Sequence, residues 1–221
     1  MTTPTIESYL EIIFMMSSEG QPVIGARLAE ALHVSRPTVT ATLRRMVRDG
    51  FVTLNEHKEI RLTPKGQAIA ERLQRRHRIV ERWLTDVLGF DWARSDAEAH
   101  KLEHAMSDEV FERLNKQLGY PATCPHGNPI PGNVRAQTDS DAIPLATVRA
   151  GERVSVVRIS EYAENVSELL EYLGARGIVP GAQLAISEIA PLNGPISLKV
   201  KGKIVPLSRE VAQFVWVKRM R

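Results

Sequence analysis

One change of hydrophobic period divides this 221-residue chain and limits what it can fold into. From Pro4 to Leu118 the apolar residues recur at helical spacing, in segments opened by Ser, Thr or Pro and mostly closed by glycine. From Ile143 onward they fall into short runs separated by Gly, Pro and Asn turns, the signature of strands. The polar stretch Asn133 to Asp141 between the two regimes reads as a linker. The fold class expected is mainly α with a small β domain, in three domains covering 1–72, 73–142 and 143–221.

In the first third, Thr3-Pro4 opens a helix with Ile6, Leu10, Ile13 and Phe14 inward, ended by Gly20-Gln21-Pro22. Ile24 to Leu32 is a short second helix. Ser35 caps a third, with Pro37 in its first turn. Val39, Leu43, Met46 and Val47 point inward; Arg36, Thr38, Thr40, Thr42, Arg44, Arg45 and Arg48 point outward. After Gly50, the runs 51–54 and 59–62 around a polar turn read as a hairpin, and Thr63-Pro64 opens another helix. Three helices followed by a hairpin make a winged helix-turn-helix. Its candidate DNA-contacting residues are Ser35, Arg36, Pro37, Thr38, Thr40 and Arg44 on the third helix, with Arg27 on the second. Lys58 and Arg61 on the wing suit phosphates. A net charge of +3 permits a double-stranded DNA partner without requiring one.

The middle of the chain carries metal-ligand chemistry. Pro64 to Leu88 reads as one long helix with Ile69, Leu73, Val80, Leu84 and Val87 inward. Ser95-Asp96-Ala97-Glu98 reads as a capping box that opens the next helix. On that helix His100, Glu103 and His104 stand at i, i+3 and i+4, which puts two imidazoles and a carboxylate on one face. His77 and Glu81 form a second i, i+4 pair. Cys124 and His126, in the Pro- and Gly-rich segment 121–132, are spaced as a metal half-site, although taken alone they read as a small buried residue and a turn residue. Ser107 caps a further helix that runs to Leu118. Long amphipathic helices beside a winged helix suit pairing with a second copy, and a homodimer suits a palindromic operator. No apolar run approaches the ~18 residues that cross a bilayer, the N-terminus lacks signal-peptide features, and a single cysteine makes no internal disulfide. A cytoplasmic protein is expected, with no membrane partner and no small-molecule substrate.

Six segments, in order, give the chain a resemblance to the diphtheria toxin repressor and manganese transport regulator family. They are Glu7-Ser8-Tyr9-Leu10-Glu11, Ser35-Arg36-Pro37-Thr38-Val39, Leu62-Thr63-Pro64-Lys65-Gly66, Arg76-His77-Arg78, the run 103–109 and the run 126–131. The resemblance implies a metal-activated, DNA-binding dimer that acts as a repressor in metal-ion homeostasis. It implies a primary metal site at Ser8, His100, Glu103 and His104, and a second site at His77 and Glu81. In some members the second site draws on residues like Cys124, His126 and an acid of the C-terminal domain, here Glu161. In manganese-type members a close metal pair involves the residue matching Glu11 together with His77. Two positions depart from the pattern: Ser8 stands where aspartate, methionine or glutamate is usual, and His100 where cysteine or glutamate is usual. The cofactor implied is a divalent transition metal, Mn2+ or Fe2+ first. The imidazole-rich set also suits Zn2+, Co2+ or Ni2+.

From Ile143 the expected strands are Arg153 to Ile159, Gln183 to Ile189, Ile196 to Val200, Lys203 to Pro206 and Phe214 to Val217, with a short helix Val166 to Leu173. This pattern fits the SH3-like (FeoA-type) barrel that many members of the family carry. Two rival readings compete with the repressor. His-x-x-Glu-His is also a zinc metalloprotease signature, with glutamate as general base. Alternatively, the metal is purely structural within a DNA-binding protein.

Overall fold

The computed structural model describes residues 2–133, 141–161 and 167–220. The chain forms two compact units, Met1–Arg76 and His77–Arg221. Most of the expected linker, and Val166 of the expected short helix, lie outside the described residues.

In the first unit, helix α1 (Pro4–Ser18) is capped by Thr3, whose hydroxyl accepts the amide of Ile6 at 3.4 Å. Helices α2 (Gly25–Ala31) and α3 (Arg36–Arg48) follow. Ser35 caps α3 by accepting the Thr38 amide. Strands β1 (Val52–Leu54) and β2 (Ile60–Leu62) pair antiparallel, with Thr53 opposite Arg61. Leu10, Ile13, Met16, Leu28, Val39, Met46 and Ile60 are all buried. Two outward-inward assignments on α3 change. Thr42 is buried and Val47 is 41% exposed. The inward face is therefore 39, 42, 43 and 46, the same width as the apolar pattern implies but rotated so that Thr42 replaces Val47 at its edge.

Leu62-Thr63-Pro64-Lys65-Gly66 has a clear structural reason for its composition. The Thr63 hydroxyl donates to the Gly50 carbonyl at 2.7 Å and accepts the Gly66 amide at 3.1 Å, tying the wing to the start of helix α4 (Pro64–Asp86). Lys65 donates to the Asp49 carbonyl and its ammonium sits 4.4 Å from the centre of the Phe51 ring. A Cβ on residue 66 would collide with the Phe51 carbonyl oxygen, so only glycine fits there.

The second unit begins within α4, where His77, Arg78, Ile79, Val80 and Glu81 are all buried. Val80 and Leu84 pack with Ala99 and Phe111, beside Trp83, Leu102 and Met106. Helix α4 stops at Asp86 rather than Leu88, and Val87 is exposed. Helix α5 (Trp92–Leu102) starts a turn earlier than the Ser95 capping box implies. Asp91 caps it by accepting the Ala93 amide at 2.8 Å, while Ser95 is buried and donates back to the Trp92 carbonyl. Helix α6 (Asp108–Gln117) is capped by Ser107 as expected.

The C-terminal part is a six-stranded antiparallel sheet of β3 (Ile143–Pro144), β4 (Arg153–Ile159), β5 (Gln183–Ile189), β6 (Ile196–Val200), β7 (Lys203–Leu207) and β8 (Val215–Arg219). The spatial order is β3-β8-β4-β5-β6-β7, so the SH3-like sheet is open between β3 and β7. Its core includes Val154, Val156, Leu184, Ile186, Leu198 and Val217. Leu170 and Leu173 of helix α7 (Ser167–Ala175) join it, as does Ala93 of α5. A short helix α8 (Arg209–Ala212) precedes β8.

Because the atom closest to a Cβ at residue 66 is the backbone carbonyl oxygen of Phe51, which cannot swing aside as a side chain can, Gly66→Ala is expected to destabilise the protein by about 1–3 kcal/mol. Urea denaturation measures this, and an unchanged midpoint would mean the wing shifts freely away from α4.

Candidate metal centre and DNA-reading surface

On α3, Arg36, Pro37, Thr38, Thr40 and Arg44 are exposed, as is Ser35 before it. Ser35 and Thr38 share a hydroxyl–hydroxyl bond of 2.8 Å, and the Thr40 hydroxyl donates to the Arg36 carbonyl at 3.0 Å. These bonds hold the hydroxyls against the backbone. Arg36 and Arg44 are the long cationic groups of this face. Arg48 is tied to Asp49 at 2.8 Å. Arg27 is half-buried and donates to Gln21. In the wing turn the Asn55 side chain accepts the amides of His57 and Glu59, which presents exposed Lys58 in a left-handed conformation (φ 59°). Arg61 lies 3.6 Å from Glu59.

The candidate metal-ligating side chains of the second unit gather around two residues one helical turn apart on α4. His77 lies between α5 carboxylates: its Nδ1 is 2.7 Å from Glu103 Oε2 and its Nε2 is 3.2 Å from Asp96 Oδ1. Glu81 Oε1 is 3.8 Å from His77 Nε2 and 3.0 Å from His126 Nδ1. His100 Nδ1 and His104 Nε2 approach the other Glu103 oxygen at 3.0 Å and 3.3 Å. Three sets result, each with ligand atoms within 4.8 Å of one another: His77, His100 and Glu103; His77, Glu81 and Asp96; Glu81, Cys124 and His126.

This grouping differs from the sequence expectation in three ways. Helix α5 ends at Leu102, so the face expected to carry His100, Glu103 and His104 is broken. Glu103 keeps helical geometry as the C-cap (φ −57°, ψ −33°), but His104 belongs to the turn toward Ser107 and completes none of the three sets. Second, His77 is drawn to Glu103 as well as Glu81, so the two expected sites share a ligand. Third, Asp96 joins the cluster. Its sequence context reads as part of a cap, although its i, i+4 relation to His100 also suits a shared ligand face.

Glu161 is buried and accepts from Arg78 Nε at 2.7 Å and from Arg78 Nη2; Arg78 also donates to the Pro129 carbonyl. The C-terminal acid thus meets α4 through an arginine rather than through the three sets. In the first unit, Ser8 donates to the Pro4 carbonyl at 3.1 Å, and Glu11 is buried. Neither belongs to any of the three sets.

The electrostatics fit a cation. Burial pulls the His77 pKa down, but Glu81, Asp96 and Glu103 outweigh it and hold the imidazolium well above the usual histidine value. Burial pushes Glu103 up, yet His100 and His77 keep it at about 2. Burial likewise opposes ionisation of Glu81, but His126, His77 and Arg78 hold it below the usual carboxylate range. Among the described residues no group donates a well-formed hydrogen bond to either Glu81 oxygen. A buried carboxylate ringed by imidazoles is a donor set suited to a divalent transition metal.

The sign of the pH response follows from His77. Its folded pKa lies above the unfolded value of 6.5, so in metal-free protein its contribution to stability is complete below that value. That contribution fades as pH rises through the raised pKa. A metal ion on His77 requires the proton to leave, so metal affinity moves the other way. The rise in Tm caused by saturating Mn2+ or Zn2+ is therefore expected to grow between about pH 6 and about pH 8. Differential scanning fluorimetry checks this, and a shift that shrinks over that range would remove His77 from the metal centre.

Comparison with known proteins agrees with the fold. Residues 1–60 match the iron dependent repressor N-terminal DNA binding domain, and residues 63–132 the iron dependent repressor metal binding and dimerisation domain. Residues 143–219 match the FeoA domain. The chain is 37% identical over 226 residues to the iron-dependent repressor IdeR of Mycobacterium tuberculosis, covering 98% of this chain and 97% of that one. It is 34% identical over 223 residues to the diphtheria toxin repressor of Corynebacterium diphtheriae, covering 98% and 97%. Among solved structures, a manganese-dependent transcriptional repressor in complex with manganese matches with a TM-score of 0.88 at 32% identity, over 97% of this chain and 100% of that one. The repressor ScaR with bound Zn2+ matches with a TM-score of 0.84 at 26% identity, over 98% and 100%. Nothing in these similarities supports a protease. The chain belongs to the iron-dependent repressor family and is a metal-dependent, DNA-binding transcriptional repressor.

Proposed function

We propose that this repressor works in the cytoplasm as a homodimer on a palindromic double-stranded operator. Its activating ion is Mn2+ or Fe2+, with Zn2+, Co2+ and Ni2+ as competitors. The observation that carries the reading is the position of His77. It sits on α4 within bonding reach of two carboxylates of α5, Asp96 and Glu103. A cation there replaces a proton and fixes α4 against α5, inside the segment that matches a metal binding and dimerisation domain. Differential affinity of the ion for the DNA-competent state is what shifts the population, typically by ~1–3 kcal/mol per site.

The proposed ligands are His77, Glu81, His100, Glu103, His104, Cys124 and His126, with Asp96 added. Ser8 and Glu11 remain proposed ties from α1, and Glu161 a proposed ligand from the C-terminal domain if it exchanges Arg78 for the ion. The proposed DNA contacts are Ser35, Arg36, Pro37, Thr38, Thr40 and Arg44, with Arg27, Lys58 and Arg61 on phosphates. The domain boundaries proposed are 1–72, 73–142 and 143–221.

Fluorescence anisotropy on the chain's own promoter DNA, after metal stripping, tests the reading. Binding is expected only with added metal, and His104→Ala is expected to abolish the metal response while leaving a folded dimer. Binding indifferent to metal and chelator would overturn the activation. Chelation that unfolds the protein would favour a structural metal instead. Lys58→Ala is expected to weaken binding alike for all sequences and to lower the salt slope by about 1. An unchanged slope would remove Lys58 from the phosphate contacts.

A further inference from the structure

Helix α3 buries Val39, Thr42, Leu43 and Met46. At about 100° per residue, the direction opposite that face runs along Pro37, Ala41, Arg44 and Arg48, all exposed and spaced i, i+4, i+7 and i+11. Arg45 and Arg36 stand about 70° and about 110° to either side of this line. A recognition helix turns its outermost line toward the base edges of the major groove, so the side chains on it decide which bases are told apart. From this line we propose that Arg44 reads a guanine in each half of the operator, through paired hydrogen bonds to O6 and N7. The proposal rests on the operator-binding reading above and gives it a base specificity.

Three observations select Arg44 and guanine. The first is the chemistry α3 lacks: it contains no Asn, Gln, Asp or Glu. Adenine calls for the paired donor and acceptor of an amide, and cytosine for a carboxylate acceptor, so neither finds its usual partner on this helix. Guanine presents two acceptors in the major groove, and these suit the fork of a guanidinium. The second is that the hydroxyls of the face are engaged within the helix's own first turns. Ser35 and Thr38 bond each other at 2.8 Å, and Thr40 donates to the Arg36 carbonyl at 3.0 Å. The third separates the arginines. Arg48 shares the outermost line but is held by both oxygens of Asp49, at 2.8 Å and 3.4 Å. Among the described residues nothing pairs with Arg44, so all five of its N–H donors are available. Helical side chains lean toward the helix N-terminus, the end nearest the bases. One turn back from Arg44 are Thr40 and Ala41, and the alanine is too small to block a guanidinium.

The alternative for Arg44 is a phosphate, and the experiment separates the two. Full-length protein, with Mn2+ present throughout, selects sites from random-sequence duplex DNA. Fluorescence anisotropy then measures affinity for the selected site and its single-base variants. The selected site is expected to hold one invariant guanine in each half. Replacing that guanine by another base is expected to weaken wild-type binding about 5- to 150-fold per half-site, the range for a bidentate pair of ~1–3 kcal/mol. Substituting 7-deazaguanine, which removes only the N7 acceptor, is expected to weaken binding by a smaller factor. That measurement needs no variant protein and so is unaffected by misfolding. Arg44→Ala is expected to bind the guanine site and its single-base variants alike. The readout is overturned if the selected site has no invariant guanine, if 7-deazaguanine is tolerated without loss, or if Arg44→Ala keeps the guanine preference. Arg44→Ala that weakens every sequence equally, keeps that preference and lowers the salt slope by about 1 would assign Arg44 to a phosphate. The selection also keeps the failures apart. Enriched sites without an invariant guanine overturn the readout and leave the operator reading standing. An unsymmetrical site whose guanine depends on Arg44 overturns the palindrome but not the readout, and no enrichment overturns both.

Discussion

The polar cluster of the second unit is arranged around five consecutive buried residues on α4, of which three, His77, Arg78 and Glu81, are ionisable. Burying such groups is costly unless each finds a partner of opposite charge. Arg78 finds Glu161 and the Pro129 carbonyl; His77 finds Asp96 and Glu103. Glu81 finds imidazoles, whose protons a metal can replace. The need to compensate α4 explains why α5, the 121–132 segment and the start of the Glu161 stretch converge on it. The convergence is chemically divided: the ionisable residues of α4 face polar partners, while Val80 and Leu84 face Ala99 and Phe111.

Much of this was legible in the sequence because regular structure writes periodic signals. The strands Arg153–Ile159, Gln183–Ile189 and Ile196–Val200 fall where alternation and turn residues put them. Caps at Thr3, Ser35 and Ser107 are local, since each hydroxyl answers an amide three residues on. Where local signals compete, the reading fails. Ser95-Asp96-Ala97-Glu98 has the composition of a cap, but Asp91 supplies the cap and frees Asp96 to face His77. Identical residues serve either purpose, and only the packing of α5 decides between them. The helical spacing of His104 does not put it on α5, because the Ser107 cap of α6 leaves too few residues for α5 to continue, yet the turn still brings its Nε2 within 3.3 Å of Glu103.

The DNA-reading unit shows a comparable division between pattern and packing. The order of three helices and a hairpin is readable, and so is the polar face of α3. That Thr42 is buried and Val47 is exposed is not, because both lie at the margins of the stripe where a few degrees of helix rotation decide. In the sequence, Gly66 stands out only as part of a motif. Its reason, the carbonyl of Phe51 pressed against the first turn of α4, lies fifteen residues back along the chain and leaves no periodic trace.

The open sheet of the C-terminal domain has a consequence for assembly. An unpaired strand edge is a template for adding another chain. Both border strands carry a proline, Pro144 in β3 and Pro206 in β7, so each lacks one backbone donor. Their carbonyls are also engaged: Thr147 donates to Pro144 and Tyr172 donates to Pro206. Each border is thus blunted for donor and acceptor at the same residue. Copies of this domain crowded together on neighbouring operators would be discouraged from zipping edge to edge into fibres, leaving association to the helical part of the chain.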